Sequence, residues 1–145
     1  MKNNKDSKEP IIKLQGYTID DLHYTSLEDQ VKSVPDGFKL TPSIGMTKDL
    51  GSGKITLDVS LKLKGDQKKL DPKVVTVRVT AFFDISEDLT DEDAVGQALI
   101  VNGTAIVFPY IRSIVSMVTG LDSEQTILLP TIATSKLFSD KPIDL

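Results

Sequence analysis

The sequence has no cysteine and no tryptophan, and only one histidine, His23. Without thiols there are no disulfides and no thiolate metal ligands, and a single imidazole cannot build the familiar His-rich zinc sites. Basic residues are in the minority: 17 Lys and Arg stand against 21 Asp and Glu, for a net charge of −4. That balance argues against an electrostatic grip on nucleic acid or on an anionic membrane. No uninterrupted apolar run reaches the roughly 20 residues of a membrane span, and the opening MKNNKDSKEP has no apolar stretch of the signal-peptide kind. These absences lead us to expect a cytoplasmic protein with no metal, no cofactor, no nucleic-acid partner and no membrane insertion.

Catalytic patterns are equally scarce. His23 has no Ser, Cys or paired carboxylate arrangement around it that would make it a general base. GSGK, Gly51 to Lys54, lacks the flanking pattern of a phosphate loop and precedes a strand rather than a helix, so it reads as a hairpin turn. The acidic run from Ser86 to Asp93 fits a helix N-terminus, where the helix dipole favours negative charge. An enzyme is not expected.

What the chain does contain is one ordered alternation followed by one long apolar stretch. Its 145 residues suit a single domain, expected over 11–145 behind a polar, disordered tail over 1–10. An irregular first strand is expected from Ile11 to about Asp20 or Asp21, then a connecting loop through the Pro35 to Gly37 turn signal. Phe38, Leu40, Ile44 and Met46 share one face of a second strand, and Pro42, which cannot donate to a ladder, places that strand at an edge. Ile55, Leu57, Val59, Leu61 and Leu63 alternate through a third strand, and Val75 to Ile85 through a fourth. Past Glu87 the period becomes helical. A first helix is expected from an N-cap at Thr90 to Val101, a break at Asn102-Gly103, and a second helix from Thr104 to Thr119 with Gly120 as a left-handed cap. An extended apolar run, Ile127 to Ile132, and a short helix near Ser135 to Ser139 follow. Strands before helices give an α+β layout: a four-stranded antiparallel sheet with helices packed on one face.

The stretch VFPYIRSIVSMVTG has too much apolar surface for one sheet. Wound at 100° per residue, its apolar arc covers on the order of 200°, about twice what a surface helix needs. Pro109 leaves the Ala105 carbonyl without its helical donor and predicts a kink. Three coverings compete for the excess: a third layer of the same chain, a second subunit, or a ligand or client. The subunit reading assigns Val107, Phe108, Ile111, Ile114, Val115 and Val118 to an oligomer interface.

The order of elements and the words IVFPYIRSIVSMVTG and LLPTIATSKLF resemble the bacterial export chaperone SecB and its SecB-like relatives. Phe108, Pro109, Tyr110, Arg112, Gly120, Leu128, Pro130, Leu137 and Phe138 carry the likeness, with Tyr17, Asp20 and Leu22 in the first strand. The resemblance spans about Ile11 to Phe138. It implies a dimer of dimers, a homotetramer joined through the helices, and a long apolar groove that holds unfolded or incompletely folded polypeptides without ATP. Carried onto this sequence, the groove would use Leu40, Ile44, Met46, Ile127, Leu128, Leu129 and Ile132. Two departures bear on the biological setting. The chain stops at LFSDKPIDL, curtailing the family's longer final helix, and its acidity is mild for docking on a translocation motor. Protein export, or service to the antitoxin of a toxin-antitoxin pair, are the settings the resemblance offers. A small-ligand or lipid-binding α+β domain is the alternative of another class.

Overall fold

A computed structural model of the chain describes residues 9–63, 72–122 and 129. Strands β1 (Ile12–Thr25), β2 (Gly37–Met46), β3 (Ser52–Leu63) and β4 (Lys73–Ile85) form one antiparallel sheet in the order β1-β4-β3-β2. Helices α1 (Glu28–Lys32), α2 (Glu92–Ala98) and α3 (Thr104–Gly120) complete the described fold. The α+β class and the four-stranded antiparallel sheet follow directly from the alternation: Ile55, Leu57, Val59 and Leu61 of β3 and Val75, Val77, Val79, Ala81 and Phe83 of β4 all turn to one face and are buried. Residues 1–8 of the polar tail, the Ile127 to Ile132 run apart from Leu129, and the Ser135 to Ser139 segment lie outside the described residues.

The expected break at Asn102-Gly103 does not occur. Leu99–Gly103 forms one turn of π-helix that joins α2 to α3, making a single helical stretch of 29 residues from Glu92 to Gly120. Its cause lies in the spacing. Val95, Leu99, Gly103, Val107, Ile111, Val115 and Thr119 recur every fourth residue, and all are buried. On a regular α-helix of 3.6 residues per turn such a row drifts by about 40° at each step. The wider i→i+5 turn takes back part of that drift and keeps the row on the sheet. By length and composition alone this stretch could cross a membrane; its hydropathy is that of a helix whose buried row packs against β3 and β4.

Two smaller expectations at the helix ends also change. Asp91, extended and without a side-chain cap bond, is the N-cap in place of Thr90. Gly120 stays helical, and the chain closes with short bonds from Leu121 N to the Val118 carbonyl (3.3 Å) and Asp122 N to the Thr119 carbonyl (3.1 Å), so no left-handed residue is needed. Asp122 then ties the helix end to the sheet, accepting from Tyr24 Oη at 2.8 Å and pairing with the nearly buried Lys73. Burial, then the hydrogen bond to Asp122, pushes the Tyr24 phenol above its usual value.

β1 runs to Thr25, past the expected end at Asp20 or Asp21, because two bulges hide its periodicity. Register shifts at Leu14/Gly16 and Ile19/Asp21 each insert one residue. Leu14, Tyr17, Ile19, Leu22 and Tyr24 consequently pair with Phe83, Ala81, Val79, Val77 and Val75, all on the helix-facing side. The segment expected as a loop holds α1. Because β1 and β2 occupy opposite edges, their connection must cross the sheet, and it does so on the outer face. Ser33, Val34 and Pro35 share a shallow cavity of about 250 Å³ with Lys39, Thr41, Ser60, Thr76 and Arg78 of that face. Lys62 Nζ donates to the Val34 carbonyl at 3.3 Å, and Val31 is buried. Among the described residues the long helix is therefore the one helix on the expected face, and α1 lies on the other.

The bulged residue Asp20 reaches that outer face, where Thr80 and Thr18 (2.7 Å) donate to its carboxylate and hold its pKa below the usual value. A depressed folded pKa stabilises the fold above the unfolded value of 3.8, and that contribution disappears as pH falls through the folded one. The stability gap between the wild type and Asp20→Asn, read from urea midpoints, should accordingly be present above the unfolded value of 3.8 and close as pH falls below it; a gap independent of pH contradicts the assignment. Ile111→Ala should cost about 2–5 kcal/mol, the range for emptying a packed core site. Met117→Ala, on the exposed side of the same helix, should stay within about 0.5 kcal/mol. Denaturant unfolding of the pair measures whether the buried row carries the fold.

Candidate functional site

An apolar groove lies along the free edge of β2, on the helix-bearing side of the sheet. Ile44 and Met46 form one wall, and Glu92, Asp93, Gly96, Gln97, Ile100 and Val101 form the other, enclosing about 470 Å³. Strand parity places Leu40, Ile44 and Met46 on this face, opposite Val59, Ile55 and Gly53 of β3. Ile44 remains 36% exposed, while Leu40 and Met46 are half-buried against the core.

Gly96 sets the width. A Cβ at this position would sit 3.2 Å from Ile44 Cδ1 and 3.8 Å from Met46 Cε, so any side chain here would stand in the groove. Glycine inside a helix costs about 1 kcal/mol relative to alanine, and at this position that cost keeps the groove open. The acidic residues at the mouth belong to the first turn of α2. The site is thus apolar along its floor and negative at one end. Among the described residues no group of three or more His, Asp or Glu is placed to hold a metal ion.

Of the residues expected to hold clients, Ile44 and Met46 line the groove, and Leu40 continues their face toward Phe38. Leu129 does not: it is 3% exposed, part of the core, with its carbonyl taking a 3.2 Å bond from Arg112 Nε. Ile127, Leu128 and Ile132 lie outside the described residues. The contribution of α2 and the π turn is absent from the sequence expectation. Its one visible signal is a glycine in mid-helix, with Ile100 and Val101 absorbed into the general apolar arc.

The interface expectation needs correction in its residues. Val107, Phe108, Ile111 and Val115 are all buried within their own chain, facing the sheet, and have no area left for a second copy. Phe108, for example, meets Phe38 of β2 edge to face at 6.0 Å. Ile114 is half-buried against the same core and Val118 is half-buried. The apolar surface that does remain faces the other way, toward the β1 edge. Tyr17, Ile19 (49% exposed) and Leu22 on the helix-facing side of β1 and Tyr110 and Met117 (73% exposed) of α3 are all exposed. The Tyr17 and Tyr110 rings, with centroids 5.0 Å apart, join strand and helix into one band. Between Asp93 and Asp122 the only charged residue is Arg112. Pro109 and Ala105 both lie on the exposed side of α3, so the carbonyl left without a donor is clear of the core.

No protein-family model matches the chain. An uncharacterised protein of Methanocaldococcus jannaschii is 29% identical over 83 residues, 55% of this chain. The chain spans about half the length of that curated relative, 52% of which is matched. Among solved structures, a protein of unknown function from Streptococcus agalactiae is similar with a TM-score of 0.50 and 12% identity, covering 83% of this chain and 97% of that one. A Mycobacterium tuberculosis SecB-like chaperone, in complex with a ChAD peptide from the HigA1 antitoxin, is similar with a TM-score of 0.64 and 15% identity, covering 83% of this chain and 90% of that one. The chain therefore has the fold of a SecB-like chaperone.

Proposed function

We propose that this protein is a SecB-like, ATP-independent holdase that binds unfolded or incompletely folded polypeptide in the groove between β2 and α2. The observation that carries the reading is an apolar cleft kept open by Gly96 at a sheet edge, in a fold shared with a SecB-like chaperone. Binding there would draw on burial of client side chains at about 25 cal/mol per Å², a non-directional term that favours many sequences at modest affinity. No catalytic group is required. The working form is a homo-oligomer, built as a dimer of dimers, whose subunits meet through the band of Tyr17, Ile19, Leu22, Tyr110 and Met117, the largest exposed apolar side chains near one another away from the groove.

A narrower reading assigns the chaperone to one antitoxin. The antitoxin peptide held by the M. tuberculosis relative favours this setting over export through a translocation motor. The two differ in client breadth. A dedicated chaperone binds one short segment far more tightly than it binds generic unfolded chains.

Substoichiometric oligomer should delay aggregation of a refolding model substrate without nucleotide, followed by light scattering. No delay at several-fold excess would count strongly against the holdase reading. Ile44→Asp and Gly96→Leu should each weaken client binding about tenfold or more, the scale of losing one buried aliphatic contact, while leaving the oligomer intact. Ile19→Lys with Met117→Glu should do the reverse, lowering the mass seen by multi-angle scattering while the groove stays open. An unchanged mass would move the subunit contact elsewhere.

A further inference from the structure

We propose that the outer face of the sheet carries a second binding site, beside Phe82, for a planar aromatic molecule bearing a single negative charge. The face is otherwise polar: Thr18, Thr80, Thr56 and Ser43 form a row of hydroxyls across the four strands. Phe82 lies in the next row, and among the described residues it is the one aromatic ring on this side of the sheet. It is 43% exposed. A single exposed apolar side chain is ordinary and needs no partner; here its neighbours make a receptacle around it.

The row of Phe82 runs Gly16, Phe82, Lys54, Gly45. Gly45 is not required by its backbone, since its φ is not positive, nor by the core, since it faces outward. Gly53, beside it, differs: a Cβ there would lie 2.8 Å from Leu99 Cδ1, so the long helix demands glycine. At Gly45 the atoms a Cβ would meet all belong to Lys54, with Cε at 3.1 Å and Cγ at 3.5 Å. The bare position is therefore where the Lys54 stem lies down, toward β2 and away from the Phe82 ring. A cavity of about 360 Å³ opens here, lined by Phe82, Lys54 and Gly45 together with Thr47 and Ser52 of the β2–β3 turn. Its lining is largely apolar, and Lys54 is the only charged residue in it.

These groups select the occupant. The exposed ring offers a face for offset stacking, which stabilises an aromatic pair beyond the area it buries. Lys54 is in no ion pair among the described residues. Asp20, whose carboxylate it stabilises at longer range, is taken by Thr80 and Thr18. The ammonium thus has donors to spare for a carboxylate. Thr47 Oγ1 is already engaged, donating to Asp49 at 2.6 Å and accepting from Ser52 N at 3.1 Å, so the polar contacts fall to Lys54 and the Ser52 hydroxyl. One cation suits one negative charge, and the volume, near the lower end for ligand cavities, suits one or two fused rings. Met46 is the only residue shared with the lining of the groove, so an occupant here leaves the groove open.

The probe is 2-naphthoate, with uncharged 2-naphthylmethanol beside it, each titrated with the full-length protein and followed by the anisotropy of naphthalene fluorescence. Naphthoate should bind saturably, at about millimolar concentration or below. Phe82→Ala should weaken both probes about fivefold or more, because it removes the stacked ring and its apolar area. Lys54→Gln should weaken naphthoate about two- to fivefold, the worth of an exposed ion pair, and change naphthylmethanol less than about twofold. Gly45→Val should fill the cavity and displace Lys54, removing the binding of both. Ile44→Asp, in the groove, should leave both affinities unchanged. No saturable binding of naphthoate up to about ten millimolar, or affinities lowered by Ile44→Asp and untouched by Phe82→Ala, would overturn the site. Equal losses of the two probes in Lys54→Gln would overturn its selection of an anion.

Discussion

The structure depends on one contact: the every-fourth-residue row of the long helix lying on β3 and β4. Val95, Leu99, Val107, Ile111 and Val115 of that row are fully buried, and at about 1.5–3 kcal/mol per large aliphatic group their packing outweighs the local penalties along the helix. Those penalties are an interior proline, two interior glycines and a π turn, Gly103 lying within the turn itself. Each is tolerated where it falls for a geometric reason. Pro109 sits on the outward side, Gly96 stands over Ile44, and the π turn corrects the drift of the row.

The same contact determines what is left over. A helix seated on the two central strands cannot cover both edges of a four-stranded sheet. At the β2 edge the uncovered strip becomes a groove, because Gly96 contributes no side chain to fill it. At the β1 edge bulges keep five apolar side chains of β1 turned to that side, and three of them, Tyr17, Ile19 and Leu22, stay exposed. Groove and band are thus two consequences of one packing decision on opposite flanks of the helix. The groove has an open backbone edge and an acidic mouth; the band has aromatic and aliphatic side chains with little charge. That asymmetry is the ground on which we propose polypeptide binding for the first and subunit contact for the second.

Much of this was legible in the residues, and the exceptions have physical causes. Strict alternation marked β2, β3 and β4 because each buries one face. β1 looked irregular and short because a bulge shifts the period by one, which a pattern of two cannot show. The Asn102-Gly103 pair read as a break because both residues disfavour helix, yet burial on either side carried the helix through them. The groove residues of β2, Ile44 and Met46, could be placed from strand parity, whereas Ile100 and Val101 could not be separated from the core row without the phase of the π turn. Val107, Phe108, Ile111 and Val115 were read as a meeting surface because the width of an apolar arc shows that two things must cover it. It does not show which side faces the chain's own sheet.

The central claim is that unfolded polypeptide occupies the β2–α2 groove. A photo-crosslinking side chain at Gln97, exposed on the groove wall, tests it most directly, with the same group at Lys39 on the outer face as its control. Irradiation with an unfolded substrate should give a covalent adduct from position 97, little from position 39, and none once the substrate has folded. Equal labelling from both positions, or labelling from position 39 alone, would contradict the account.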